Sequence, residues 1–268
     1  MYAVLDTNQA LRLPRTGVRE GCGLTLAPYV IAEILLRPDP GPTVRRIRAY
    51  EVRLGLQVHE VFDKLAPLYE DDIPHLQPFV QTGSLIAPDS FYAGLYPELS
   101  PWLETVRNKA AVAKEAARAF CGSMLPRSVN ARKLFTSLGG APKFRNLDEA
   151  VRYIDVWPEC VADIVSSASK RRLAVSDPRR LYSAVMSNQF LARFFKSILC
   201  FQLSWFRLWD DQSLNFDPSS QRDDFTDLTL PLYAGNGDVI LTEDKKVQRL
   251  LGVVDPDGVV RVAAARDL

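Results

Sequence analysis

Two short apolar runs at opposite ends of the chain each stop at a carboxylate. Tyr2-Ala3-Val4-Leu5 ends at Asp6-Thr7-Asn8, and Val239-Ile240-Leu241 ends at Thr242-Glu243-Asp244. In an α/β pattern, an acid just after a buried strand lies at the strand's carboxyl end, where open α/β sheets place their ligand sites. Acids that converge without His or Cys partners make the hard-oxygen environment that Mg²⁺ or Mn²⁺ prefers. Three or four such groups packed together repel one another, and a bound dication relieves the repulsion. It can also position water, lower the water's pKa and neutralise charge building on a phosphodiester, so hydrolysis needs no side-chain nucleophile. That suits a chain whose two histidines, His59 and His75, complete no Ser/His/Asp or Cys/His set.

Four motifs in order resemble the PIN-domain ribonucleases. The pattern of that family is an Asp-Thr-Asn-like step after the first strand and a Glu on an early helix. An Asp on a later helix, some residues before a small Ala, and a Thr/Ser-x-Asp after the fourth strand complete it. Here these are Asp6, Glu33 in APYVIAEILL, Asp227 with Ala234, and Asp244 with Thr242. The resemblance covers residues 1–62 and 220–268. It implies a three-layer α/β/α sandwich around a central, mainly parallel sheet, and a metal-dependent ribonuclease that cuts within RNA rather than from its ends. Asp6, Asp227 and Asp244 would be ligands of Mg²⁺ or Mn²⁺, and Glu33 either a ligand or the base that orients water. Asn8 and Thr242 would hold carboxylates in place from behind. Asp224, a helical turn before Asp227 on the same face, would be a further outer member, with Asp223 and Glu243 exposed to solvent. The partners implied are an RNA substrate, an antitoxin-like protein inhibitor and a second copy of the chain, with no membrane. A toxin role sits awkwardly with a chain about twice the usual length of such toxins.

Two other classes compete. A haloacid-dehalogenase-like phosphatase also begins with an apolar strand and an Asp, but it needs a second Asp two residues on, where this chain has Asn8. A catalytically inactive protein that keeps the PIN fold as an RNA- or protein-binding module is the closer rival. For Glu33 alone, the plain alternative is a surface glutamate.

Composition sets the frame. The chain has 268 residues, 47% hydrophobic and 24% charged, which is ordinary for globular proteins and enough for one or two domains. The sequence lacks an apolar run of the ~18 residues that a membrane span requires, and its first residues read as a strand rather than a signal peptide. The four scattered cysteines, Cys22, Cys121, Cys160 and Cys200, form no CxxC. They read as reduced, buried thiols of a cytoplasmic protein, and a zinc site is not expected. Net charge is only +1, but unevenly spread. Residues 101–200 carry seventeen Lys and Arg against eight Asp and Glu, whereas both flanks are acidic. A basic middle is an electrostatic footprint of nucleic-acid contact. Lys170, Arg171 and Arg172 are its candidate contacts, with Arg45 and Arg46 from the first third of the chain. Long solvated helices rich in Lys and Arg are the alternative.

The elements that must position the acids follow from pattern. Residues 2–5 suit a fully buried strand of a parallel sheet. A brief helix over 9–13 is stopped by Pro14, and Leu24-Thr25-Leu26 is extended. Pro28 suits the first turn of a helix running to Arg37, on which Glu33 sits beside the apolar side made by Val30, Ile34 and Leu35. A helix is expected over 43–53, ended by Gly55, then a strand over 56–61 on alternation, with His59 at its edge. Residues 63–219 read as a helical insertion into a discontinuous nuclease domain of 1–62 and 220–268. Within it, Asn146-Leu-Asp-Glu149 is a capping box, and Asp177-Pro178 opens the longest helix, expected to run from Arg179 to Trp209. The aromatic cluster at its end reads as core. Asp227 falls on a short helix that Pro231 kinks or confines to its first turns, and residues 259–262 read as the last strand.

Overall fold

Ala3, Val4 and Leu5 are fully buried because their strand lies inside a sheet, with neighbours on both sides. The computed structural model describes residues 1–13, 21–65, 67–82, 144–156, 158, 177–205, 227–255 and 261–263, with several helical residues between 107 and 119. The strands are β1 (Tyr2–Leu5), β2 (Gly23–Leu26), β3 (Val52–Gly55), β4 (Val80–Thr82), β5 (Val239–Leu241) and β6 (Arg261–Ala263). They form a mixed six-stranded sheet in the order β4-β3-β2-β1-β5-β6. All pairings are parallel except β3 with β4, which runs antiparallel. The molecule is therefore an α/β protein with a mainly parallel sheet.

The order carries a consequence for function. From β1 the chain builds outward through β2 and β3, then returns to the other side of β1 to place β5 and β6. Such a reversal leaves a crevice at the carboxyl ends of the two strands where it occurs. Leu5 pairs with Leu26 on one side and Leu241 on the other, and the Asp6 amide extends the ladder by donating to the Leu241 carbonyl at 3.0 Å. Asp6 and the residues after Leu241 thus leave the sheet side by side.

At the opposite end of these strands Asp238 is a clamp. It is buried and accepts from the Tyr2 amide at 2.8 Å and the Gly235 amide at 2.9 Å. Arg53, on β3, reaches it at 3.1 Å and lies over the Tyr2 ring, 3.3 Å from the centroid. The preceding turn uses Gly237 at φ +79°, a left-handed conformation that costs glycine nothing.

Helix α1 (Thr7–Leu11) begins earlier than the expected 9–13 because Asp6 caps it, accepting from the Gln9 amide at 2.7 Å. Helix α2 (Pro28–Leu35) agrees with the expected Pro28 start. Helix α3 covers only Gly41–Ile47, shorter than the expected 43–53, because Val52–Gly55 is drawn into the sheet beside β2. The expected strand over 56–61 is instead the start of helix α4 (Val58–Leu65). Its buried residues Val58, Val61, Phe62 and Leu65 repeat at helical spacing, and the alternation Leu56-Gln57-Val58 does not survive Glu60. His59 is accordingly an exposed helical residue, not a strand-edge one.

The stretch expected to be helical also supplies β4. The single long helix expected from Arg179 is two helices, Pro178–Ser187 and Gln189–Trp205. They break at Asn188, which is extended. Its amide nitrogen donates to the Ile73 and Leu76 carbonyls at 3.1 Å, while its oxygen accepts from the Leu191 amide. One side chain thereby caps the second helix and docks it on the turn before β4. Phe194 and Phe195 pack on Phe62, and Phe190 on Phe79. The Arg193 guanidinium meets Asp255 at 2.6 Å. These residues and those of the sheet share one hydrophobic cluster. Leu147–Val156 is helical. Asn146 accepts from the Glu149 amide as in a capping box, while the Glu149 carboxylate accepts from the amide of Arg145 rather than that of Asn146. Val161 and Ile164, expected on the same helix, lie outside the described residues. Cys22 and Cys200 are buried thiols. Cys121, Cys160 and Trp209 lie outside the described residues, as do the side chains of Phe201, Trp205 and Phe206. Among the described residues no helix is long and apolar enough to cross a membrane.

Gly55 reports on this packing. A Cβ there would stand 2.6 Å from the ring of Tyr233, which is wholly buried and donates its hydroxyl to the Leu56 carbonyl at 2.9 Å. Gly55→Ala should lower stability in urea titrations by about 1–3 kcal/mol, the usual cost of overpacking. An unchanged midpoint would show that the ring has room to swing aside.

Candidate functional site

A cleft of about 530 Å³ opens where the chain leaves β1, β2 and β5, lined by Asp6, Thr7, Asn8, Tyr29, Glu33, Asp227 and Asp244. Leu36, Arg37, Pro38 and Lys114 complete its walls. Asp6 follows β1 directly. Tyr29 and Glu33 come from α2, which follows β2. Asp244 precedes the helix Lys245–Val254 after β5. Asp227 is helical and is followed, after a turn, by the 3₁₀ helix Leu230–Tyr233, which has Pro231 in its first turn. All four expected acids therefore face one cleft, although they come from four separate places in the sequence.

Each carboxylate is held by a local contact. Asp6 and Asp244 both cap helices, and Asp244 accepts from the Lys246 and Val247 amides at 2.7 and 3.2 Å. A cap leaves oxygen lone pairs of the carboxylate available to the cleft. Thr242 ties the two together: its hydroxyl accepts from the Asp244 amide at 3.0 Å and hydrogen-bonds to Asp6. Its side chain is buried. Asn8 lines the cleft, exposed. Glu33 accepts from the Thr7 hydroxyl with one oxygen, and its other oxygen lies 2.6 Å from the Lys114 ammonium. Asp227 accepts from the Tyr29 hydroxyl at 3.2 Å.

The electrostatics express this crowding. Burial raises the Asp227 pKa well above the usual carboxylate range, and the charges of Asp244, Asp6 and Glu33 push the same way. Burial also raises Asp6, opposed by hydrogen bonds from Thr242 and from the backbone of Gln9 and Glu243. Tyr29 is pushed well above its ordinary value by burial and by the surrounding acids, so its hydroxyl keeps its proton and serves as a donor. Among the described residues no three His, Cys, Asp or Glu side chains stand together as a ready-made metal cage. The donors nevertheless fit a hard divalent ion in kind: all are carboxylate oxygens, and their mutual repulsion is what such an ion relieves.

Arg45 and Arg46 stand away from the cleft. Arg45 is exposed on α3, while Arg46 donates to the Leu11 and Leu13 carbonyls at 2.9 and 3.3 Å. Asp223, Asp224, Lys170, Arg171 and Arg172 lie outside the described residues. Glu243 is exposed, as expected, and pairs with Arg12. Sequence reasoning missed Tyr29 and Lys114. The first had a signal, since it sits four residues before Glu33 and therefore on the same helical face. Nothing in local pattern marks Lys114, which reaches the cleft from a stretch about eighty residues further along.

The raised proton affinity has a sign. A carboxylate with a raised folded-state pKa costs stability as pH climbs from its unfolded value, about 4, through its folded value. In divalent-free buffer the wild type should lose stability over that window, and Asp227→Asn should remove part of the slope, with a higher melting temperature at neutral pH. A variant less stable than wild type at neutral pH would mean that Asp227 is held as a favourable anion. Comparison with protein-family models, with curated proteins and with solved structures finds no match to this chain.

Proposed function

We propose that the cleft is the active site of a divalent-metal-dependent ribonuclease, built on a PIN-like three-layer α/β/α fold. The observation that carries the reading is the convergence of Asp6, Glu33, Asp227 and Asp244 on one cleft at the strand-order reversal. Asp6, Asp227 and Asp244 would hold Mg²⁺ or Mn²⁺, with Glu33 close by. When bound, the ion supplies a polarised water and neutralises charge on the phosphodiester. The chain's own residues set the stage. Thr242 fixes the spacing between Asp6 and Asp244 by bonding both. Tyr29 aims the carboxylate of Asp227, and Thr7 orients Glu33. The substrate is RNA cut internally, in the cytoplasm, with an antitoxin-like inhibitor or a second copy of the chain as protein partner.

A second reading has its own support. Every one of the four acids already has a contact within the chain, two as helix caps and one as an ion pair. That is what an inactive module, binding RNA or protein through the same fold, would also show.

Labelled single-stranded RNA incubated with Mn²⁺ or Mg²⁺ separates the two. Wild type should cleave, EDTA should stop it, and Asp6→Asn or Asp227→Asn should each lose more than the ~10–100-fold typical of a supporting partner. Thr242→Val should fall within that supporting range. Mn²⁺ should also raise the wild-type melting temperature by mass action, and Asp6→Asn should cancel most of the rise. RNA binding with neither cleavage nor a shift by Mn²⁺ would leave the binding module as the answer.

A further inference from the structure

We propose that Lys114 is the group in this cleft that takes a phosphate oxygen of the RNA strand, with Glu33 as the residue that positions it. The proposal rests on the ribonuclease reading above and assigns a strand contact to that site.

Both oxygens of Glu33 are engaged, one by the Thr7 hydroxyl and one by the Lys114 ammonium at 2.6 Å. Glu33 is the one of the four acids with an ammonium on it among the described residues, which suits it to anchor Lys114 beside Asp6, Asp227 and Asp244. An ammonium carries three donors. Glu33 takes one, and among the described residues no second carboxylate pairs with the ammonium. The pair is within reach of a ligand, with side chains 24% and 29% exposed, and it lines the same cleft as the three aspartates.

The segment bearing Lys114 is fastened to the rim. Arg107, seven residues earlier and so two turns back in helical spacing, donates to the Arg37 and Pro38 carbonyls at 2.9 and 2.8 Å. Arg37 and Pro38 are themselves walls of the cleft. The lining of the cleft combines three aspartates with Arg37 and Lys114. Aspartates alone repel a phosphodiester, and fixed cations at the cleft counter that repulsion. Lys114, held by Glu33 and carried on a segment docked at Arg107, is one such cation. The stretch over 63–219 thereby contributes a residue to the site.

The test is fluorescence anisotropy of a fluorescein-labelled single-stranded RNA, in EDTA so that nothing is cut, between about 50 and 200 mM salt. Full-length wild type, Lys114→Met and Lys114→Arg are compared, and the same proteins are titrated with Mn²⁺ by calorimetry. Losing one phosphate contact should make the log–log salt slope of Lys114→Met shallower by about 0.7 and weaken binding about fivefold, the upper end for an exposed ion pair. Lys114→Arg should restore the slope. Mn²⁺ should bind Lys114→Met at least as tightly as wild type, since a positive charge has left the cleft. Unchanged RNA affinity and slope in Lys114→Met would overturn the proposal. So would unchanged RNA affinity with faster cleavage and tighter Mn²⁺ binding, for Lys114 would then be a plug that blocks the acids. Failure of the ribonuclease reading has a different signature, a wild type that binds no Mn²⁺ and cuts nothing, and it would take the proposal with it.

Discussion

The pairing of β1 with β5 joins residues more than two hundred positions apart, Ala3 with Val239 and Leu5 with Leu241, and the cleft exists because of it. A strand buried on both sides of a parallel sheet must find two neighbours. β2 is close in sequence and supplies one, while the other comes from the far end of the chain. Once β5 is in register, the Asp6 amide bonds to the Leu241 carbonyl, and Thr242 and Asp244 have nowhere to be but beside Asp6. Asp238 secures the same register from the other end by accepting from the Tyr2 amide. A shift of the ladder by one residue would turn every side chain of β5 to the opposite face.

Bringing acids together in this way works against stability. Burial alone disfavours an ionised carboxylate, and here neighbouring charges add to the cost at Asp227. The fold offsets it with donors rather than with a hydrophobic substitute. Backbone amides at two helix starts serve Asp6 and Asp244, and hydroxyls from Tyr29 and Thr7 serve Asp227 and Glu33. The single cation within hydrogen-bond distance, among the described residues that line the cleft, is Lys114 on Glu33. A place where local stability is given up while its geometry is held by many contacts is what a working site requires.

The helices Pro178–Ser187 and Gln189–Trp205 bear on the site through the helices and turns that flank the sheet, and among the described residues none of theirs lines the cleft. Phe190, Phe194 and Phe195 pack on Phe79 and Phe62, and Asn188 grips the turn around Ile73 and Leu76. Arg193, itself buried, meets Asp255 at the end of the helix that Asp244 begins. The helix that presents Asp244 is thus fixed at both ends.

What the sequence determined by itself was whatever short-range physics controls. Apolar runs of three or four residues that stop at once on a carboxylate-bearing polar step suited buried strands, so β1 and β5 were legible, and so was the acid that follows each. Pro28 marked the start of α2, and Thr242 stood two residues before Asp244, within reach of its amide. Where two periodicities overlapped, pattern misled. Leu56-Gln57-Val58 alternates like a strand, yet Val58, Val61, Phe62 and Leu65 form one helical face, and the true strand lay four residues earlier. Tertiary structure alone decided the rest. The break at Asn188 depends on carbonyls more than a hundred residues away, and the ion pair between Lys114 and Glu33 joins side chains that share no local pattern. Those contacts are set by which surfaces the sheet order brings together, a property of the whole chain that no window of it contains.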